Sequence, residues 1–289
     1  MIDLHSHTWL SDGELSPQKL IERAISLGIQ QLAITDHDSV GAHHMLAPFE
    51  HESLQLLSGV EISTQWEGKE VHIVGILFDL ENQDLASLLQ RQQVLRRERA
   101  EDIALQLDKT GITGLMGYLN ELPCESLGRS HIATFLVERG YVGSKQMAFS
   151  KYLGKRGRIQ TRIPWCEISE AVGTIRAAGG LSIIAHPDRY DFNRVKLRRL
   201  LAEFADAGGD AVEVSYSNLH PEKLQALADR TIEAGLWASV GSDFHTPSNA
   251  WMDLGRIRQL PANCASRAIW YHPRWSVALP ANVPAANNN

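Results

Sequence analysis

Short apolar runs recur along the chain, and most of them end on a turn that carries an imidazole or a carboxylate. Ile2 and Leu4 open one run, and others cover residues 31–35, 54–62 and 71–78, the last after a turn at Glu67-Gly68-Lys69. Three more lie at 181–185, 211–215 and 236–240. Runs of this length bounded by turn residues predict strands. Helical spacing fills the gaps. Leu20, Ile21, Ala24 and Ile25 follow a Ser16-Pro17 start and precede Gly28. The segments 168–178, 194–207 and 221–234 repeat the pattern, each closed by glycine, and a polar helix or loop runs through His43, His44 and Glu50. Strands alternating with helices predict a parallel α/β architecture, and about seven such strands predict barrel-like closure.

The middle of the chain breaks this rhythm. Between residues 82 and 162 no run is strand-like, whereas 85–107, 130–139 and 145–152 have helical character. The expected organisation is a barrel from 1–82 and 163–275, with a helical insertion at 83–162 acting as a lid over its mouth. Residues 276–289 end in Pro, Ala and Asn without periodicity and read as a flexible tail.

Composition narrows the class. At 289 residues, 44% hydrophobic and 21% charged, the chain has the make-up of a soluble globular protein. A formal net charge of −6 excludes a global basic field for nucleic acid but leaves room for a local patch. Cys124, Cys166 and Cys264 are scattered and form no CxxC pair, so neither a zinc knuckle nor a disulfide framework is expected. No apolar run approaches membrane-spanning length, and no signal peptide is read. The expected location is the cytoplasm, with no membrane association and no obligate protein partner.

The chemistry lies at the predicted strand ends. His5 and His7 alternate on the first strand and leave it on one face. Asp12 follows in the loop; His37 ends the second strand and Glu61 the third; His72 lies in the fourth; His186 precedes Pro187; Asp243 and His245 close the last. Taken singly, each has an ordinary account: His37 as a helix cap, Glu61 as a surface carboxylate, Asp243 as an N-cap, His186 as a packed imidazole. Together they put nine nitrogen and oxygen donors at the strand ends where parallel α/β proteins keep their working groups. Burying them without a metal would leave costly unpaired polar groups. Nine donors imply two or three divalent ions, with Mn favoured and Zn, Fe or Mg as alternatives. Such clusters typically hydrolyse phosphate esters.

The string HxH, Asp12, Thr35-Asp36-His37, Gly59-Val60-Glu61, Glu70-Val71-His72, Ala185-His186-Pro187 and Gly241-Ser242-Asp243-Phe244-His245 resembles the PHP family, named for polymerase and histidinol phosphatase domains. The motifs span residues 3–245, apart from the insertion. The resemblance implies a distorted (β/α)7 TIM-like barrel with a trinuclear centre. By motif, His5, His7, Glu61 and Asp243 would hold one ion, Asp12, His37 and His245 a second, and Glu61, His72 and His186 a third. Asp12 stands where some relatives have histidine, and Asp188 where glycine is common.

Within the insertion, Gly128-Arg129-Ser130-His131-Ile132-Ala133 resembles the nucleoside 3′,5′-bisphosphate phosphatase and ribonuclease AM branch of the family. That branch removes the 3′-phosphate of nucleoside bisphosphates or trims short or 5′-monophosphorylated RNA from its 5′ end. The implied substrate is a nucleotide or short RNA, and the implied nucleophile is a metal-bridging hydroxide. A candidate general acid is His220. The stretch 145–162 holds six Lys and Arg and no acid, a local phosphate-attracting patch. Arg129, His131, Lys155 and Arg158 are therefore expected to bind substrate phosphate, with Phe149, Tyr152 and Trp165 as stacking candidates. A solvated helix face and a lid core are the plainer accounts of these charges and rings. The competing functions are a small-molecule phosphatase of the histidinol-phosphate type, which needs no basic lid, and a non-catalytic metal-binding regulatory module.

Overall fold

The computed structural model describes residues 1–279. Two sheets form its frame. The first is parallel and runs β1 (Ile2–Asp3), β2 (Gln31–Ala33), β3 (Gln55–Leu57). The second contains β4 (Gly59–Trp66), β5 (Lys69–Ile76), β6 (Cys166–Glu167), β7 (Leu181–Ile184), β8 (Ala211–Tyr216) and β9 (Trp237–Gly241), in the order β6-β4-β5-β7-β8-β9. Isolated bridges join the sheets at two seams, Ser6 to Phe244 and His37 to Glu61.

Two expectations need correction. The apolar run 54–62 is not one strand: it divides at Ser58, so β3 enters the first sheet and β4 the second. The sheet is also mixed, because β5 pairs antiparallel with both β4 and β7. The cause is local. Glu67 and Gly68 both take positive φ (47° and 69°), the conformation of a two-residue hairpin turn. A connection this short returns the chain antiparallel, since a parallel crossover needs a dozen residues or more.

The helices follow the sequence more closely. In α1 (Pro17–Ser26), Ser16 accepts a hydrogen bond from the Lys19 amide, and Leu20, Ile21 and Ala24 are buried. A short α2 (Gly41–Leu46) follows β2. Between β5 and β6, where an insertion is expected, the chain forms α3 (Gln83–Asp108), α4 (Leu115–Asn120), α5 (Arg129–Glu138) and α6 (Lys145–Ala148), which continues into a π-helical turn at Phe149–Leu153. Then come α7 (Ile168–Ala177), α8 (Arg194–Asp206) and α9 (Pro221–Glu233).

The main core packs β4, β5 and β8 against α7 and α8 through residues such as Ile62, Ile73, Ile175, Phe204 and Val212. The insertion has a hydrophobic cluster of its own around Ile103, Leu107, Phe135 and Leu136. Burying an aromatic side chain such as Phe135 stabilises by about 3 kcal/mol. Tyr152 belongs to this second cluster, and Trp165 is also buried, so neither is free to stack a base. Part of the predicted tail is packed: Val277 lies against the core, and the Ala278 carbonyl accepts a hydrogen bond from Gln31 at 2.7 Å. Residues 280–289 of that expected tail lie outside the described residues. No helix among the described residues is long and apolar enough to cross a membrane.

Candidate metal centre

The nine donors read from the sequence converge. Glu61, wholly buried, sits among five imidazoles. Its Oε2 lies 3.4 Å from His5 Nε2, 3.4 Å from His7 Nε2 and 3.0 Å from His37 Nδ1. Its Oε1 lies 3.0 Å from both His72 Nδ1 and His186 Nε2. Asp243 Oδ1 approaches His7 (3.2 Å), His5 (3.4 Å) and His245 (3.6 Å). Asp12 Oδ1 approaches His245 (3.2 Å) and His37 (3.8 Å). Three overlapping sets have donor atoms within 4.8 Å of one another: His7, Asp12, His37 and His245; His5, His7 and Glu61; and His37, Glu61 and His72.

The donor set fits divalent cations. Asp12 Oδ1, His37 Nδ1, Glu61 Oε2 and His186 Nδ1 are buried without a hydrogen-bond partner. His37 Nδ1 and Glu61 Oε2 stand 3.0 Å apart without hydrogen-bond geometry, so their lone pairs are left for something else. Leaving such groups bare is costly, and a cation among them removes the cost. Imidazole with carboxylate and no thiolate suits Mn, Zn or Fe better than Ca. Electrostatics agree. Burial opposes the Glu61 charge, but His37, His72 and His5 outweigh it and hold the carboxyl well below the usual range. Asp12 is held down against burial by His245 and His37. In return, despite burial, His72 and His245 are pushed up to about 10 by their carboxylates.

The surrounding chain fixes these groups in place. Glu213 accepts from His5 Nδ1 at 3.0 Å, turning His5 Nε2 toward Glu61, and its other oxygen accepts the His186 amide at 2.7 Å. Asp36 accepts from the Thr8 amide, the Thr8 hydroxyl and the Ser11 hydroxyl, tying down the loop that carries Asp12. Asp243 also takes an ion pair from Arg189. His186 and Asp243 adopt left-handed backbone (φ 28° and 53°), a cost that functional sites commonly store. Asp188 pairs with Lys223 at 2.9 Å.

A cleft of about 420 Å³ opens on one side of the cluster, with Asp12, His37, His72 and His245 in its floor. Its wall comes from the insertion: Arg96, Arg99, Arg129, Lys145 and Phe149. Arg96 is locked by Asp38 (2.6 Å) and the Ser63 hydroxyl (2.8 Å), and Arg96 and Arg99 lie over the Trp165 ring. Glu70 lies between wall and floor; burial opposes its charge, but Arg129, His72 and Arg99 keep it ionised well below the usual range.

Of the residues expected to bind phosphate, Arg129 lines the cleft, and His131, Lys155 and Arg158 do not. Lys155 is 73% exposed and pairs with Asp191, and Arg158 is also exposed; neither lines the cleft. His131 caps its own helix, its Nδ1 accepting the Gly128 amide at 3.0 Å. His220, the candidate acid, is exposed at the start of α9, where its Nδ1 accepts the Glu222 amide at 3.4 Å, and it does not line the cleft. Arg99, Glu70 and Glu213 carry no expected role in the sequence reading, and Lys145 enters it only as part of the basic stretch 145–162. Arg99 is three residues from Arg96 on one helix face, and Glu213 is a lone acid within an apolar strand; those were the available signals.

Known proteins resemble the chain over nearly its full length. It is 41% identical over 282 residues to the 5′-3′ exoribonuclease Rnm of Escherichia coli (strain K12), covering 94% of each. It is 37% identical over 287 residues to a 3′,5′-nucleoside bisphosphate phosphatase of Chromobacterium violaceum, covering 97% of this chain and 99% of that one. Among solved structures, an amidohydrolase from Chromobacterium violaceum with bound sulfate superposes with a TM-score of 0.84 at 37% identity, covering 93% of this chain and 94% of that one. Residues 3–180, from the first strand to the residue before β7, match the PHP domain, and with these relatives the match makes the chain a member of the PHP domain family.

Proposed function

We propose that this chain is a metal-dependent phosphoesterase that cuts the 3′-phosphoester beside a 5′-phosphorylated nucleotide. Its substrates are nucleoside 3′,5′-bisphosphates and short or 5′-monophosphorylated RNA, the latter attacked from the 5′ end. One observation carries the reading: the nine-donor cluster presents four of its members, Asp12, His37, His72 and His245, in the floor of a cleft whose facing wall holds four cationic side chains. The activities named for the two relatives support the same substrates.

In this reading the nine donors are metal ligands, grouped as the family resemblance implies, with manganese favoured. The bridges at Ser6 and His37, which link the three-stranded and six-stranded sheets, support a distorted barrel, with residues 83–162 as its lid. Bound divalent ions supply Lewis-acid charge for phosphoryl oxygens and acidify water. The protein's own groups do the positioning. Arg129, Arg99 and Lys145 grip the 5′-phosphate, Arg129 through a guanidinium that matches phosphate oxygens in pairs. Phe149, at the same wall, offers a face for the first base. A 5′-phosphate seated there sets the next phosphoester over the floor, so one geometry serves both activities: a terminal 3′-phosphate gives a mononucleotide, and a continuing chain gives stepwise trimming.

The test is turnover with added Mn²⁺ of 3′-phosphoadenosine 5′-phosphate, 5′-phosphorylated oligoribonucleotide, its 5′-hydroxyl counterpart and histidinol phosphate. Cleavage of the first two, with loss on removing the 5′-phosphate, is expected. Cleavage of histidinol phosphate alone would keep the metal centre and discard the nucleotide assignment.

A further inference from the structure

Glu70 belongs to the strand that delivers His72, and its carboxylate stands inside the cleft, between the cationic wall and the donor cluster. Oε2 takes an ion pair from Arg129 and lies 3.6 Å from Arg99 Nη1. Oε1 lies 3.2 Å from His72 Nε2. The Glu70 side chain is 25% exposed, so an incoming ligand can reach it, whereas Arg99 is only 4% exposed. One guanidinium group of the wall, that of Arg129, therefore donates to an acid of the chain itself, and a second, that of Arg99, faces the same carboxylate at 3.6 Å, at the seat assigned above to a terminal phosphate.

We propose that Glu70 is an internal counter-anion that competes with the 5′-phosphate for Arg99 and Arg129, and thereby speeds release of the 5′-mononucleotide product. The inference rests on the phosphoesterase reading. Cutting on the 3′ side leaves the product with its 5′-phosphate, the group the wall binds best, so a wall of unopposed cations would retain it. Binding energy shared equally by substrate, transition state and product lowers KM without raising kcat. With Glu70 present, seating a phosphate exchanges one ion pair for another instead of pairing a bare, desolvated cation. When the product departs, the carboxylate takes back the donors, and buried Arg99 is not left unpaired.

The experiment uses the full-length, manganese-loaded protein and its E70Q variant, which keeps the shape and an acceptor oxygen but removes the charge. Inhibition by adenosine 5′-phosphate is measured during turnover of 3′-phosphoadenosine 5′-phosphate, with adenosine as the uncharged control. E70Q is expected to lower the Ki for adenosine 5′-phosphate about tenfold, and KM with it, while adenosine is unaffected and kcat does not rise. Bound manganese per chain should match wild type. In the E70Q/R129A double variant the gain should largely vanish, because the two side chains act on each other. Unchanged or weaker product binding overturns the proposal. So does a loss of manganese in which adenosine 5′-phosphate and adenosine weaken together, since Glu70 would then serve only to orient His72. If wild type turns over no nucleotide at all, it is the phosphoesterase reading that fails. Calorimetry with inorganic phosphate on the metal-free protein then still decides the role of Glu70: E70Q must tighten binding about tenfold, and an unchanged affinity refutes it.

Discussion

The floor and the wall of the cleft are built by different rules. Most of the donors lie in loops that follow parallel strands, while His72 lies inside β5 and Glu61 near the start of β4, where the backbone ladder fixes position and facing; buried carboxylates pair with the imidazoles. The wall is a set of long side chains projecting from helices of the insertion, oriented by a few ion pairs and one indole ring. The first arrangement is expected to tolerate few substitutions, because its central donors are buried among the others, and the second, which works by summed charge, to degrade gradually. Perturbing each region in turn should therefore give very different results.

The largest effect is expected at the centre of the floor. Glu61→Gln removes the charge shared by five imidazoles and should lower kcat/KM for every substrate by about a thousandfold or more, with bound metal reduced. Steady-state kinetics and metal content check this, and wild-type-like metal content with near-normal rates would refute it. Next comes the hinge between the regions, the buried Arg96–Asp38 pair. Asp38→Ala leaves Arg96 buried and unpaired and should cost about 3–5 kcal/mol of stability, read from denaturant unfolding. Arg129→Ala should raise KM about tenfold for 5′-phosphorylated substrates and leave 5′-hydroxyl substrates unchanged. An equal loss on both would mean that the wall does not read the phosphate. The smallest effect is expected from Lys155→Ala and Arg158→Ala, whose side chains point to solvent; each should change kcat/KM less than about twofold. A larger change would extend the cationic wall beyond the cleft.

The same contrast decides what could be read from the sequence. His5 and His7 lie just past β1, which ends at Asp3, but keep the alternate spacing of a strand-like run. Asp12, His37, His186, Asp243 and His245 are legible because loops begin where parallel strands end, whereas Glu61 and His72, expected at the ends of parallel strands, lie within the antiparallel β4–β5 pair. The wall was only half legible. A basic run announces charge but not which side of a helix carries it, so Lys155 and Arg158 drew attention while Arg99, three residues from Arg96 on a face buried by Trp165, did not. The strand break at Ser58 was hidden for a related reason. Residues 54–62 are one apolar run, and only the pairing partners on either side, β2 for one half and β5 for the other, divide it. Tyr152 follows the plainer of its two accounts, a ring between charges that belongs to the interior of the helical segment.

The seams between the two sheets have a mechanical consequence. Ser6 lies between His5 and His7, Phe244 between Asp243 and His245, and the other seam is made by His37 and Glu61 themselves. The stitches that join the sheets are thus the segments that carry the donors. An ion held by His5 and Asp243 would tie together parts of the chain separated by almost its whole length, as a crosslink closing a very long loop does. Occupancy would then be felt far from the cleft, as slower opening of the first and last strands toward solvent.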